Sequence, residues 1–372
     1  MTRRERYAAM MAGQKTDRVM LDLAGVGLNS TSSPETQRGM ARVLGFTEPY
    51  NGEYDRFDER VLEALDIDLR FVGAILKSPS AVPETPDGLR VDAWGLKRRF
   101  TGIYWELVDP PLKGATMADL DSYPWPDPRN IDLRELDTFR EKARRLWEET
   151  DYVVCGSHPV YGVMELGCWM CGFDEFLLKM ALEPEFVLRF FDIFWEYQRQ
   201  VITVYYQALG EYIHLTGSGD DFGTQTGPFI SPAMFSELVA PYYKKRIDLT
   251  KRYTSAHYLH HTCGAVFPLI PSLIEAGVDI LNPIQPGAAG MEPEALLAAY
   301  GERIAFHGGV DTQHLLPEGT PADVEKAVFA LLEQFDGHAY FLSPAHNVQP
   351  DVPPENVVAI YKAAQAFYAR QG

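Results

Sequence analysis

Cysteine is scarce: four in 372 residues, at 155, 168, 171 and 263. That is too few for a disulfide scaffold, so a reducing, cytoplasmic setting is expected. No apolar run comes near the roughly 18 residues a membrane span needs, so no membrane association is expected. The opening stretch MTRRERYAAMMAGQKTDR is charged and leads into only a short apolar segment, unlike a secretory signal. Basic residues are in the minority: 34 Lys plus Arg stand against 52 Asp plus Glu, a net charge of −18 with no long basic run. This argues against a nucleic-acid partner. The Gly-rich dinucleotide fingerprint is also missing. Gly25-Val26-Gly27 lacks the third glycine and continues into Leu-Asn-Ser-Thr-Ser-Ser rather than a helix. Internal repeats and low-complexity tracts are absent too. With 46% hydrophobic and 23% charged residues the chain is neither disordered nor fibrous, and it can bury a large core without staples.

What is present is an alternation. Eight short apolar segments lie at residues 19–24, 67–72, 152–156, 212–216, 257–261, 279–283, 304–308 and 339–343. Helical patterns follow most of them, at 173–180, 184–209, 232–253, 266–276, 294–299, 321–334 and 354–369. Proline at the first turn (Pro184, Pro232) and serine as N-cap (Ser231) mark helix starts. Strand-length segments alternating with helices read as parallel α/β, and eight units predict a closed (β/α)₈ TIM barrel. The chain is expected to form one domain over 1–372. The segment 77–130 interrupts the alternation with Trp94, Trp105, Trp125 and eight prolines. It predicts hairpins and turns at the C-terminal mouth, with two polar-edged strands around Thr101-Gly102, acting as a rim patch or a lid.

In such a barrel the polar residues that end the strands are the site candidates. The fourth segment runs into Asp220, Asp221 and Gln225, and the fifth into His260-His261-Thr262-Cys263-Gly264. The sixth carries Asn282 and Gln285, the seventh His307, Asp311 and Gln313, and the eighth His346. His261 and Cys263, two apart at a strand end, share a face, and imidazole with thiolate suits zinc. His346 is the best-placed third ligand. His260 faces the other way and is expected to be packed. Asp220, Asp221 and Asp311 are candidate acids or bases, with Asp221 a candidate to orient a metal ligand. Tyr161 and Trp169, with Gln225, Asn282, Gln285, His307 and Gln313, are candidate substrate-pocket residues. Cys168 and Cys171 form a C-x-x-C pair, expected just before a helix, that reads as a dithiol, a metal half-site or simple packing.

Several of these pieces, in order, resemble the uroporphyrinogen decarboxylase superfamily, and within it the cobalamin-dependent methyltransferase branch. They are VDAWGLKRR, YPWPDP, GDDFGTQTGPFISPAMFSELVAPYYKK, HHTCG, FHGGVDTQHLLPEGTP and SPAHNVQPDVPPENV. The resemblance runs over nearly the whole chain. It implies a barrel with its site at the C-terminal mouth and allows a homodimer. True decarboxylases resemble one another in an arginine-rich N-terminal segment that binds the porphyrinogen carboxylates. Here the corresponding LAGVGLNSTSSPETQRGM has no arginine before Arg38, which disfavours that substrate. The methyltransferase branch instead implies zinc on His-x-Cys plus a later cysteine. His261 and Cys263 match, and His346 stands where the later cysteine is expected. The resulting expectation is zinc-dependent methyl transfer between a small methylated compound, an O-methyl aromatic among the candidates, and the corrinoid of a separate partner protein. The alternative is decarboxylation of another carboxylated substrate, with Asp220 or Asp221 as proton donor and Arg38, Arg98 and Arg99 binding the carboxylate.

Overall fold

A computed structural model describes residues 1–47, 57–73, 84–101 and 105–370. Its eleven strands are β1 (Met20–Leu21), β2 (Leu69–Gly73), β3 (Leu89–Val91), β4 (Lys97–Phe100), β5 (Trp105–Val108), β6 (Val153–Ser157), β7 (Leu215–Gly219), β8 (His257–His261), β9 (Ile280–Ile284), β10 (Ala305–Val310) and β11 (Tyr340–Pro344). Eight of them form one parallel sheet in the order β1-β11-β10-β9-β8-β7-β6-β2. Every apolar segment picked out in the sequence is one of these eight, and the sheet is a (β/α)₈ barrel. Its seam lies between β1 and β2. There the Asp68 N–H donates to the Leu21 carbonyl (2.9 Å), and the Leu21 N–H donates to Asp68 Oδ2 (2.7 Å). Arg6 and Arg18 also converge on the wholly buried Asp68 carboxylate.

The barrel is buried on both faces, which is why its strands read as apolar runs rather than alternations. Leu69, Val153, Cys155, Leu215, Leu259, Ile280, Ala305 and Phe341 point inward and form a core of their own. Val26 joins them from the loop after β1. The outward residues pack beneath the helices in a second, larger core. The long helices follow the sequence signals closely. Pro184–Leu209, Pro321–Gln334 and Pro354–Ala369 each begin on a proline, and Thr320 closes a capping box with Asp323. The helix expected over 232–253 is broken into Pro232–Met234, a π-type turn at Phe235–Val239 and Ala240–Lys251. Among the described residues no helix is long and apolar enough to cross a membrane.

The Pro/Trp-rich insertion forms the antiparallel sheet β3-β4-β5 and a short helix, Met117–Ser122. The expected strand pair is β4 and β5, and β3 adds a third strand; the turn residue Gly102 lies outside the described residues. The insertion is fastened by Trp94, which is 5% exposed and packs edge-on against Phe194 and Tyr197 of helix Pro184–Leu209. The Leu112 N–H donates to the Met170 carbonyl (2.7 Å), tying the insertion to helix Val163–Cys171 as well.

Candidate active site at the barrel mouth

At the end of β8 the chain delivers three donor atoms to one point. His261, Cys263 and His346 each offer a nitrogen or sulfur, and these atoms all lie within 4.8 Å of one another. His261 Nε2 and Cys263 Sγ are 3.3 Å apart. The His261 and His346 rings lie 5.9 Å apart between centroids. A tetrahedral zinc with bonds of about 2.0 Å to nitrogen and 2.3 Å to sulfur separates such donors by about 3.5 Å. The donor set suits zinc in its chemistry, the His261–Cys263 separation matches this spacing, and these three residues would hold the ion. Burial pushes the Cys263 thiol up, while the neighbouring His346 pulls the other way; Asp221 adds to the upward shift.

The local backbone explains why these side chains meet. His261 closes β8, in register with Asn282 of β9 and Gly219 of β7. Beyond it, Gly264 takes a left-handed φ of +84°, and a Cβ there would stand 2.5 Å from the Thr224 carbonyl oxygen. Only glycine lets the chain turn this close to the β7 loop. The Gly264 N–H donates to Gln285 Oε1 (2.9 Å), and Gln285 Nε2 reaches Gln225 Oε1 (3.2 Å) and Gln313 Oε1 (3.4 Å). Three of the glutamines singled out in the sequence thus join as one cluster on the rim.

The carboxylates divide. Asp221 Oδ1 accepts the Cys263 N–H at 2.7 Å and lies 3.8 Å from His261 Nε2. It positions the cysteine through the backbone; the oxygen that orients His261 belongs to Asn282, whose Oδ1 is 2.6 Å from His261 Nδ1. Asp220 is buried with its oxygens engaged. It accepts the Met164 and Glu165 N–H groups (2.9 and 2.7 Å) and the Tyr243 hydroxyl (2.9 Å). In this way it caps helix Val163–Cys171, whose own N-cap residue Gly162 has no side chain to offer. Burial raises the Asp220 carboxyl to about 6 against the pull of these donors. Asp311 accepts the N–H groups of Gln313 and Leu315, which makes it a cap of its own loop.

Sequence reasoning missed Glu165. Burial, reinforced by the charges of Asp220 and Asp221, pushes its carboxyl well above the usual carboxylate range, and His261 is near enough to oppose the shift. The available signal was spacing: Glu165 and Trp169 are four apart on one face of helix Val163–Cys171, with Tyr161 just before its N-cap. Tyr161 and Trp169, the two candidate pocket aromatics, meet edge-to-face at 5.2 Å. From the insertion, Asp92 accepts the Tyr161 hydroxyl (3.3 Å), and Arg98 pairs with Asp92 (3.1 Å) while lying over the Trp169 ring. The insertion is therefore tied directly to this aromatic pair.

Other candidates lie elsewhere. Asn282 and His307 are wholly buried beneath the donor cluster rather than on a pocket surface. His260 is packed as expected, stacked on Phe222. Cys168 and Cys171 lie just before helix Phe173–Leu182, as expected, in the last turn of helix Val163–Cys171, and both are fully buried; burial drives both thiols up, Cys171 to about 12. A thiolate is not favoured there, so they serve as packing. The three arginines of the decarboxylase reading do not assemble. Arg38 is exposed on helix Pro34–Val43 and Arg99 is exposed on β4, leaving Arg98 alone at the wall.

Fold and site together define a (β/α)₈-barrel protein with a His-x-Cys and distal histidine donor set at the C-terminal mouth. The family model for uroporphyrinogen decarboxylase (URO-D) matches residues 106–367, and the chain belongs to that family. Among curated proteins, the uroporphyrinogen decarboxylase of Synechococcus sp. (strain CC9605) is 28% identical over 144 residues, 38% of this chain and 39% of that protein. That of Acidiphilium cryptum (strain JF-5) is 29% identical over 98 residues, 26% of each. These matches span about two fifths or less of the relatives' length. Among solved structures, a methyltransferase from Methanosarcina mazei superposes with a TM-score of 0.68 at 17% identity, covering 99% of both chains. At that identity the likeness carries the fold.

Proposed function

We propose that the protein is a zinc-dependent methyltransferase, moving a methyl group from a small O-methyl compound to a corrinoid substrate carried by a separate protein. The observation that carries this reading is the convergence of His261, Cys263 and His346 on one point at the mouth, beside two further carboxyl groups. The whole-length likeness to a protein described as a methyltransferase supports it. A zinc ion held by those three residues would supply a Lewis acid for the substrate heteroatom.

The chain's own residues do the rest. Tyr161 and Trp169 present an edge-to-face aromatic wall that suits a flat ring. As the C–O bond breaks, the methyl carbon forms its new bond to the acceptor and the electron pair stays on the oxygen. Glu165, kept protonated by its burial, gives that oxygen its proton. Asp221 holds the Cys263 backbone, and Gln285 ties the adjoining loop to its neighbours.

Metal analysis of the purified chain tests the reading. About one zinc per chain is expected, lost when His261 and Cys263 are both replaced by alanine. Methyl transfer from methoxylated aromatics to an added corrinoid, followed by the corrinoid's absorbance, is expected to vanish with it. A folded, metal-free protein overturns the proposal. The names of the curated relatives favour a second reading, decarboxylation; carbon dioxide release without metal would establish it.

A further inference from the structure

Below the donor cluster, four buried side chains, three from barrel strands and one from the residue after β1, form one hydrogen-bonded line. Asp22 Oδ2 lies 2.8 Å from His307 Nε2. His307 Nδ1 lies 2.6 Å from Asn282 Nδ2, and Asn282 Oδ1 lies 2.6 Å from His261 Nδ1. His261 Nε2 then faces the Cys263 sulfur. Asp22, His307 and Asn282 are wholly buried, and His261 is 8% exposed. Asp22 has no Lys or Arg partner among the ion pairs of the described residues. Its other side-chain oxygen, Oδ1, accepts the Gly25 N–H at 2.9 Å.

The polarity of this line follows from one end. Asp22 Oδ1 accepts the Gly25 N–H; when Oδ2 accepts as well, as an ionised carboxylate does, His307 Nε2 carries the proton. A neutral His307 then offers a lone pair at Nδ1, which only the amide N–H of Asn282 can satisfy. The carbonyl of Asn282 must therefore face His261, and it can only accept. His261 is thereby fixed with its proton on Nδ1 and its lone pair on Nε2, pointing at Cys263. With Asp22 ionised and His307 neutral, no other arrangement leaves every buried atom of the line satisfied. Second-sphere carboxylates commonly orient a zinc histidine directly; here the carboxylate sits two residues further back.

We infer that Asp22 is a positioning residue for the metal site: acting through His307 and Asn282, it selects the His261 tautomer whose Nε2 is free to bind a metal ion. The inference rests on the zinc reading for its purpose, but the tautomer exists with or without metal. Loop 22–30, which the sequence shows only as a failed dinucleotide motif, thus reaches the chemistry from beneath.

Two measurements test it on the full chain. Nitrogen-15 NMR of histidine-labelled, metal-free protein, with His261 assigned by its loss in His261→Gln, is expected to show Nδ1 protonated and Nε2 bare. The opposite tautomer overturns the inference. Zinc affinity by chelator competition is expected to fall about 10- to 100-fold in Asp22→Asn, whose amide can donate as well as accept. In that variant the His261 signal is expected to shift toward the other tautomer. A folded Asp22→Asn with unchanged affinity and an unchanged His261 spectrum overturns the inference equally. If Asp22→Asn fails to fold, the wild-type spectrum decides. If the wild type binds no zinc, the zinc reading fails, while the spectrum still judges the line.

Discussion

Asp220 and Asp221 are neighbours in the chain and work on opposite sides of it. The first accepts the N–H groups that open helix Val163–Cys171, and the second accepts the N–H of Cys263. One strand end therefore sets both the aromatic wall and the donor cluster, so their relative placement is held within two residues.

The cap depends on the space beside Gly162. A Cβ built there stands 2.5 Å from Asp220 Cγ, and neither backbone can easily retreat. Gly162→Ala is expected to displace the carboxylate and leave buried donors unpaired, costing roughly 1–3 kcal/mol. Denaturant unfolding followed by circular dichroism measures it. Unchanged stability would mean that the helix start moves freely.

Glu165→Gln removes the proton but keeps the shape. Turnover is expected to drop about 10²- to 10⁴-fold, with zinc content and unfolding midpoint near those of the wild type. Wild-type activity should also decline at alkaline pH as Glu165 loses its proton, since its carboxyl sits well above the ordinary range. Steady-state rates across pH, compared between the two proteins, check both expectations.

His346 stands where the resemblance read from the sequence leads one to expect a cysteine. His346→Cys should retain one zinc per chain, whereas His346→Ala should lose affinity by more than the roughly 10- to 100-fold attached to an outer partner. Chelator competition separates the two. Equal affinity of the alanine variant and the wild type would remove His346 from the donor set.

The barrel floor sets an acid limit. His214 stacks on Trp147 at 4.4 Å, and its Nδ1 accepts the Val154 N–H. Burial lowers it to about 4 from an ordinary 6.5. Between these values the unfolded chain binds a proton that the folded chain refuses. Stability is therefore full above about pH 6.5 and falls as pH drops toward 4. Burial also lowers His158, His257 and His260, so they act in the same direction. Unfolding midpoints between pH 7 and 4 should decline, and less steeply in His214→Gln.

Strand ends were legible because each is an apolar run bounded by glycine, proline or a polar residue, and the period of the helices is long enough to see. The metal-type donors were legible too, since His261 and Cys263 share a face by local geometry alone. Glu165 was not, because its importance comes from burial against Asp220 and Asp221, which only the folded chain brings to it. Asn282 and His307 stood out as polar residues in apolar segments, but their direction, downward into the barrel rather than out into a pocket, depends on register between strands. Cys168 and Cys171 show the reverse: a spacing that suggests chemistry, placed where the core excludes it.

The seam between β1 and β2 has a consequence in time. β1 is two residues long and pairs with β11, the last barrel strand to be synthesised. The contacts that β1 can make before that strand emerges are the two hydrogen bonds between Leu21 and Asp68, backed by the ion pairs of Arg6 and Arg18 with the same carboxylate. The N-terminal arm is thus placed as a latch, whose contacts need only the first 68 residues and not the last stave of the cylinder.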